Sequence, residues 1–339
     1  MNPPERPTVP LSILDLAIIG RGETAADALA ASVATARAAE RLGYTRVWYA
    51  EHHNMESIAS SATSVLIAHV AAHTSTIRLG SGGIMLPNHS PLQIAEQFGT
   101  LATLHPGRID LGLGRAPGTD MVTMRALRVD HQAAERFPQD VLELQAYLAG
   151  ATIVPNVNAI PGSGTDVPLY ILGSSLFGAR LAALLGLPYA FASHFAPGAL
   201  TEAVALYRRE FEPSQQLETP YVIAAMNVIA ADTDEDAQEQ FETVKRFRVA
   251  RFLDRKGELG DDQIEALLAS PQGRQILEMM RYTAIGTAER VRAAIDEFTR
   301  HADADELMLV HSAPTIEQRL RSLELTAAAC GLEPRRPAD

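Results

Sequence analysis

The chain is poor in the features that mark several large classes of protein. Cysteine occurs once in 339 residues, as Cys330. One thiol can neither close an internal disulfide nor hold a structural metal, so a reducing, cytoplasmic compartment is expected. Positive charge is scarce: 29 Lys and Arg stand against 41 Asp and Glu, a formal charge of −12, and no basic cluster stands out. That balance argues against nucleic acid and anionic membrane as main partners. No apolar run approaches the ~20 residues that span a bilayer. The first ten residues are polar and proline-rich, without an apolar h-region, so no signal peptide is expected.

What is present is a rhythm. Apolar residues make up 47% of the chain, enough for a large core. Short apolar strands are predicted at 11–16, 47–50, 77–80, 109–113, 168–172, 189–192, 221–230 and 306–310. Each is followed by helical spacing, at 25–42, 61–74, 91–104, 137–148, 175–185, 200–211, 287–298 and 314–329. Thr24 and Gly43 bracket the first helix as N-cap and C′ residue, and Pro91 sits in the first turn of the third. Short apolar strands alternating with helices require parallel pairing with both faces covered. Eight such units make an α/β fold, the (β/α)8 TIM barrel. The rhythm breaks at 114–135, at 150–167 and, most of all, at 232–285, a charged and mostly helical insertion after the seventh strand. The expected layout is a flexible N-terminus over 1–10, one domain over 11–331 and a tail over 332–339.

In a TIM barrel the chemistry lies at the C-terminal ends of the strands. Those ends are Glu51-His52-His53, Ser81-Gly82-Gly83, Gly114-Arg115, Gly173-Ser174-Ser175, Ser193-His194 and His311-Ser312. At 46–53 an apolar strand runs into an acid and two imidazoles with no turn between. Such groups are costly beside a core unless paired or used, although they can also simply cap the strand in solvent. Gly173-Ser174-Ser175 opens a helix, where backbone N–H groups and two hydroxyls suit a phosphate. Arg115 can reach the same anion with both arms of its guanidinium. Ordinary N-capping is the other explanation of the serines. Gly82-Gly83 lets something flat approach the backbone and permits an unusual peptide geometry, including cis.

Two further patterns carry less. Gly112-Leu113-Gly114-Arg115-Ala116-Pro117-Gly118 looks like a dinucleotide fingerprint. Its last glycine is displaced, and a proline followed by Gly118-Thr119-Asp120 stands where a helix should open. His69 and His73 have the i, i+4 spacing of metal ligands but no adjacent glutamate and no third ligand, so no metal site is expected.

Taken in order, a set of segments resembles the bacterial luciferase-like flavin monooxygenase family. They are Ala39-Glu40-Arg41-Leu42-Gly43-Tyr44, Trp48-Tyr49-Ala50-Glu51-His52-His53, the run from Arg78 to Pro87, His89-Ser90-Pro91, the run from Pro106 to Arg115, Leu172-Gly173-Ser174-Ser175, Gly186-Leu187-Pro188 and Ile285-Gly286-Thr287. The likeness extends over most of the chain, from Leu11 to Gly331. It departs from the light-emitting members: Gly114 stands where they carry a reactive cysteine, and Ser193-His194 where they carry a tryptophan.

The resemblance implies a TIM barrel that uses reduced FMN and O2, through a C4a-peroxyflavin, on a small organic substrate. It implies that Arg115 and Ser175, with Gly173, Ser174 and Gly178 nearby, hold the FMN phosphate. Gly82 and Gly83 would lie against the isoalloxazine, across a peptide that is often cis in the family. Glu51 and His52 would stand by the ring, with His52, tuned near neutral pH, as acid/base or peroxide-stabilising group and His53 in a supporting place. A separate flavin reductase, a homodimer through 61–74 and 91–104, and a mobile lid at 232–285 belong to the same picture. Relatives on this fold use deazaflavin F420 for hydride transfer, and others bind flavin without known turnover. Met85, Phe195, Met226 and Ile229 are the side chains expected around a hydrophobic or aldehyde-like substrate.

Overall fold

The computed structural model describes residues 9–116, 119–130, 132–151, 153–254 and 259–334. Most of the expected flexible N-terminus and of the C-terminal tail lies outside the described residues.

Nine strands, all parallel to their neighbours, form one sheet. They are β1 (Leu11–Asp15), β2 (Arg46–Tyr49), β3 (Arg78–Met85), β4 (Ile109–Gly114), β5 (Leu169–Gly173), β6 (Tyr189–Phe191), β7 (Val222–Ala230), β8 (Thr283–Gly286) and β9 (Glu306–His311). β1 to β6 pair in sequence order, β9 pairs with β1, and β7 closes the ring by pairing with both β6 and β9. Eight strands thus make a closed parallel barrel with helices between them, as the alternation of apolar runs and helical spacing predicts.

β8 is a ninth strand that the sequence reading leaves inside the helical insertion. β6 is only 3 residues long and covers the start of β7, at Val222 to Ala224. The rest of that edge is free, and β8 takes it, pairing Asn227 with Thr283 and Ala230 with Gly286.

The helices are α1 (Ala25–Leu42), α2 (Thr63–Ala71), α3 (Pro91–Leu104), α4 (Met121–Ala126), α5 (Phe137–Leu148), α6 (Leu176–Leu185), α7 (Leu200–Glu210), α8 (Asp234–Leu253), α9 (Asp261–Leu268), α10 (Pro271–Glu278), α11 (Ala288–Ala302) and α12 (Ile316–Cys330). α1 keeps its expected ends because both are capped. Thr24 and Asp27 form a capping box, and Gly43 takes the left-handed conformation at φ 89°. α2 starts two residues later than expected, because the Ser60 and Thr63 hydroxyls turn back to donate to the Ala50 carbonyl. Among the described residues no helix is long and apolar enough to cross a membrane.

Alternate strand residues build two layers. Val47, Tyr49, Leu79 and Leu111 face outward under the helices. Leu14, Trp48, Tyr170, Ile223, Met308 and Val310 fill the barrel interior. At the N-terminal end the interior is ionic. Arg46 donates from Nη1 to Asp110 Oδ2 (2.7 Å) and to the Tyr170 hydroxyl (2.7 Å), and from Nη2 to Glu306 Oε2 (3.1 Å). Arg78 and Trp48 Nε1 also donate to Asp110, while Ser12 and Tyr221 donate to Glu306. Both carboxylates are 0% exposed. Burial alone would weaken the charge on Arg46, but Glu306 and Asp110 outweigh it and raise its pKa.

Candidate active site

At the other end of the barrel a cavity of about 730 Å³ opens over the C-terminal ends of the strands. This lies within the usual size range of cofactor and ligand sites. His52, Gly82, Gly83, Arg115, Gly173, Ser174, Ser175 and Gly178 all line it. Glu51 does not.

One end of the cavity suits a phosphate. Ser175 is the N-cap residue of α6, in extended conformation, yet its hydroxyl makes no cap hydrogen bond. The capping explanation of this serine therefore does not account for its side chain, which stays exposed beside free N–H groups at a helix N-terminus. The Tyr189 hydroxyl donates to the Ser175 carbonyl at 3.1 Å and pins the turn. Gly178 lets α6 settle onto the end of β5: a Cβ there would lie 3.4 Å from Gly173 Cα. Arg115 leaves β4 with its guanidinium stacked over the Phe177 ring at 4.0 Å, which orients it while leaving its donors available.

Next to this end lies a surface without side chains. The Gly82-Gly83 peptide is cis. A Cβ at Gly83 would sit 2.9 Å from the Gly112 carbonyl oxygen, a backbone atom, so that position needs glycine, and one at Gly82 would sit 2.8 Å from Leu14 Cδ1. The register between β3 and β4 shifts between Ser81 and Ile84, which re-aims the end of β3.

Glu51 and His52 point different ways. His52 lines the cavity, and its backbone N–H donates to the Ser60 carbonyl at 3.0 Å. Glu51 is 1% exposed and accepts from Met85 N (3.0 Å), Asn88 Nδ2 (3.1 Å), His53 Nε2 (2.8 Å) and His89 Nε2 (2.9 Å). Burial alone would raise its pKa, but His89, His53 and the Met85 N–H together hold it below the ordinary carboxylate value. Glu51 is thus an ionised clasp that ties the end of β2 to the end of β3. His53 is one of its partners, in the supporting place expected for it.

Burial, reinforced by Arg251, pushes the His52 pKa down to about 4, against a smaller opposing pull from Glu51. This corrects the expectation of a group tuned near neutral pH: the imidazole is neutral there. His194 and His311 join the cavity from the ends of β6 and β9. Burial, with Arg248 and His52, takes His194 to about 3, and burial alone takes His311 to about 3. His52 Nδ1, His194 Nδ1 and His311 Nε2 are buried without a protein partner. Asn227 fastens this side by donating to the His194 carbonyl at 2.9 Å.

Of the expected pocket side chains, Met85 and Phe195 line the cavity. Met226 instead packs in the outer layer, and Ile229 packs with Ala231 and Ala237 at the base of α8. Strand parity explains Met226, because its neighbours Ala225 and Asn227 take the inward positions. The reading of strand ends alone does not reach Arg248 and Arg251 on α8 or Arg319 on α12, which also line the cavity. Their signal was the helical spacing of Val244, Phe247, Arg248 and Arg251 within a charged stretch.

The fingerprint-like glycines do not open a helix. β4 ends at Gly114 and α4 starts at Met121, with Pro117 and Gly118 outside the described residues. His69 and His73 stack at 4.6 Å, and among the described residues no group of three or more His, Cys, Asp or Glu could hold a metal.

The donor set fits FMN. Arg115 and the serine turn suit its phosphate, the bare Gly82-Gly83 surface suits a flat ring, and the imidazoles of His52, His194 and His311 line the same space.

The comparisons with known proteins agree with this architecture. The family model for luciferase-like monooxygenases matches residues 10–305. A luciferase-like monooxygenase of Escherichia coli K12 is 47% identical over 94% of this chain and 96% of its own length. An N-acetyl-S-alkylcysteine monooxygenase of Bacillus subtilis is 37% identical over 86% of this chain and 88% of its own. The solved structure of apo-MsnO8 superposes with TM-score 0.86 at 36% identity, covering 96% of this chain and 100% of that one. Two structures at 16% identity share the fold alone. One is a diketocamphane monooxygenase component from Pseudomonas putida in complex with FMN, covering 94% of this chain and 97% of its own (TM-score 0.69). The other is an F420-dependent secondary alcohol dehydrogenase, covering 95% and 99% (TM-score 0.68). With a matching model over most of its length and relatives of this identity, the chain belongs to the luciferase-like monooxygenase family.

Proposed function

We propose that the protein is a flavin-dependent monooxygenase that uses reduced FMN and O2 on a small, mainly apolar organic substrate. The observation that carries this reading is one continuous cavity with a phosphate-suited end at Arg115, Ser174 and Ser175, a bare glycine surface, and His52 facing the same space. When bound, reduced FMN supplies the two electrons that let one oxygen atom of O2 enter the substrate while the other leaves as water.

The chain's own residues bind, orient and exclude water. Arg115 and the N-terminus of α6 hold the phosphate by charge-assisted hydrogen bonds. Gly82 and Gly83 admit the ring at van der Waals distance. His52, its pKa lowered to about 4 and so neutral near pH 7, lines the same cavity, where its imidazole would offer a proton or a hydrogen bond beside the ring. Glu51 keeps His53, His89 and Met85 in place and so positions the loop that carries His52. α8 covers the mouth and keeps bulk water away from the reacting atoms.

Among the relatives above 30% identity are named monooxygenases, which supports oxygen chemistry over hydride transfer; FMN and F420 are each named in structures that share the fold alone. The thioether in the name of the Bacillus subtilis relative's substrate is compatible with an apolar, oxidisable substrate here. The same reading takes reduced FMN from a separate reductase. It pairs two copies through α2 and α3, where Val65 stands 67% exposed.

The test is to titrate the protein with FMN and with F420, then mix the photoreduced FMN complex with aerated buffer in a stopped-flow spectrometer. Tighter binding of FMN and a reoxidation course slower than that of free reduced FMN are expected. Preference for F420, or a reoxidation trace identical to that of free flavin, would overturn the proposal.

A further inference from the structure

The molecule carries a net charge of −12, yet its cavity is cationic. Among the described residues five arginines line it (Arg21, Arg115, Arg248, Arg251 and Arg319), against one carboxylate, Glu23. Glu23 is already engaged, accepting from the Gly20 N–H at 2.8 Å. Arg248 and Arg251 lie one turn apart on the cavity face of α8, close enough for both to grip one anion. Arg248 Nε is buried with no partner, and among the described residues no carboxylate pairs with either guanidinium. Burial and the neighbouring Arg251 push the Arg248 pKa down to about 10, and burial lowers that of Arg251. Two neighbouring cations, above the neutral imidazoles of His52 and His194, leave a positive charge that no described residue balances.

This pair is distinct from the phosphate end. Arg115 rests on Phe177 beside the N-terminus of α6, whereas Arg251 acts on His52 and Arg248 acts on His194. Between the two ends the walls are apolar, with Leu14, Phe195, Ile223 and Met308 among them. The planar fork of a guanidinium matches a carboxylate bidentately.

We infer that the substrate is an organic acid, with an apolar body and one carboxylate that Arg248 and Arg251 bind from the cavity face of α8. This rests on the substrate-oxidising reading above and narrows its substrate class. The carboxylate end fixes the molecule at α8, and the apolar body reaches toward the Gly82-Gly83 surface where oxidation is proposed.

The experiment uses the FMN-loaded protein and calorimetric titration with straight-chain acids of four to ten carbons, each paired with its own amide. The paired compounds differ in charge and little else. At the best-fitting length the acid is expected to bind at least ten-fold more tightly than the amide, with an advantage that shrinks as salt rises from 50 to 300 mM. Arg248→Met and Arg251→Met should each weaken the acid at least five-fold, with the amide and FMN held within two-fold. If no acid in the series binds better than its amide, the inference is overturned without any variant. It is equally overturned if the two substitutions weaken acid and amide alike, or weaken FMN as much as Arg115→Ala does. The flavin reoxidation test contains no substrate, so its failure separates from this one.

Discussion

Arginine is buried or half-buried at both ends of this barrel, in opposite company. At the N-terminal end Arg46 and Arg78 share Asp110, Arg46 also meets Glu306, and the pair of carboxylates keeps Arg46 firmly charged. At the C-terminal end Arg248 and Arg251 face a cavity with no carboxylate to meet them, and both are lowered in pKa. Removing a buried ion from water is costly, and the cost is met either within the protein or by something it binds. The lower arginines are therefore part of the architecture. The upper ones reduce the stability of the unliganded protein in favour of binding.

That contrast can be broken most directly by removing one arginine from each end. Arg46→Met strands Glu306 without a counter-charge, leaves Asp110 with Arg78 alone, and should cost roughly 3–5 kcal/mol in denaturant unfolding. Arg251→Met should leave stability unchanged or raise it. Equal losses at the two sites would end the distinction between them.

The next effect separates cofactor from catalysis within the upper end. Arg115→Ala should weaken FMN about ten-fold or more, the worth of a charge-assisted hydrogen bond, while turnover survives at saturating flavin. His52→Ala should hold FMN affinity within a few-fold and lose turnover. The reverse pattern would exchange their roles.

A smaller effect is expected with pH. The folded pKa values of His52, His194 and His311, near 4, 3 and 3, lie below the ordinary value of 6.5. Below pH 6.5 the unfolded chain takes up protons that the folded chain refuses. The stability due to neutral burial is thus full above 6.5 and is lost as pH falls toward 4. For His311 alone the loss between pH 6.5 and 5 should reach up to about 2 kcal/mol. A His311→Asn variant should show a correspondingly flatter dependence of unfolding on pH.

The smallest effect concerns Ser175. Because its hydroxyl makes no cap hydrogen bond, Ser175→Ala should change the unfolding midpoint hardly at all. It should weaken FMN by a few-fold, about 1 kcal/mol for a neutral hydrogen bond. A loss of stability instead would return that serine to helix capping.

The barrel was legible because its determinants are local. Thr24, Asp27 and Gly43 fix α1 from within, and Pro91 marks the start of α3. The strand ends then named the rim that the cavity occupies. What escaped was non-local or masked by composition. β3 runs to Met85, but Gly80, Gly82 and Gly83 hide its strand character. β8 exists only because the end of β7 offers a free edge some fifty residues earlier in the chain. α8 lacks an apolar stripe because its inward face carries arginines, so the usual sign of a covered helix is missing. Glu51 was placed beside the flavin ring, with His52, by the resemblance. Consecutive side chains of extended backbone face opposite sides, and that alternation carried Glu51 away from the cavity.

The pairing of Ala230 with Gly286 has a consequence for how such barrels diversify. The segment between them leaves the sheet and returns to it one strand spacing away, about 4.8 Å. It is a cassette whose two ends are stitched to the same edge, with Asp234 fastened to the Thr287 N–H just beyond the seam. Its length and face can change without moving any strand of the ring. A lineage can therefore rewrite what the pocket accepts in one exchange of sequence while inheriting the strand ends of the ring intact.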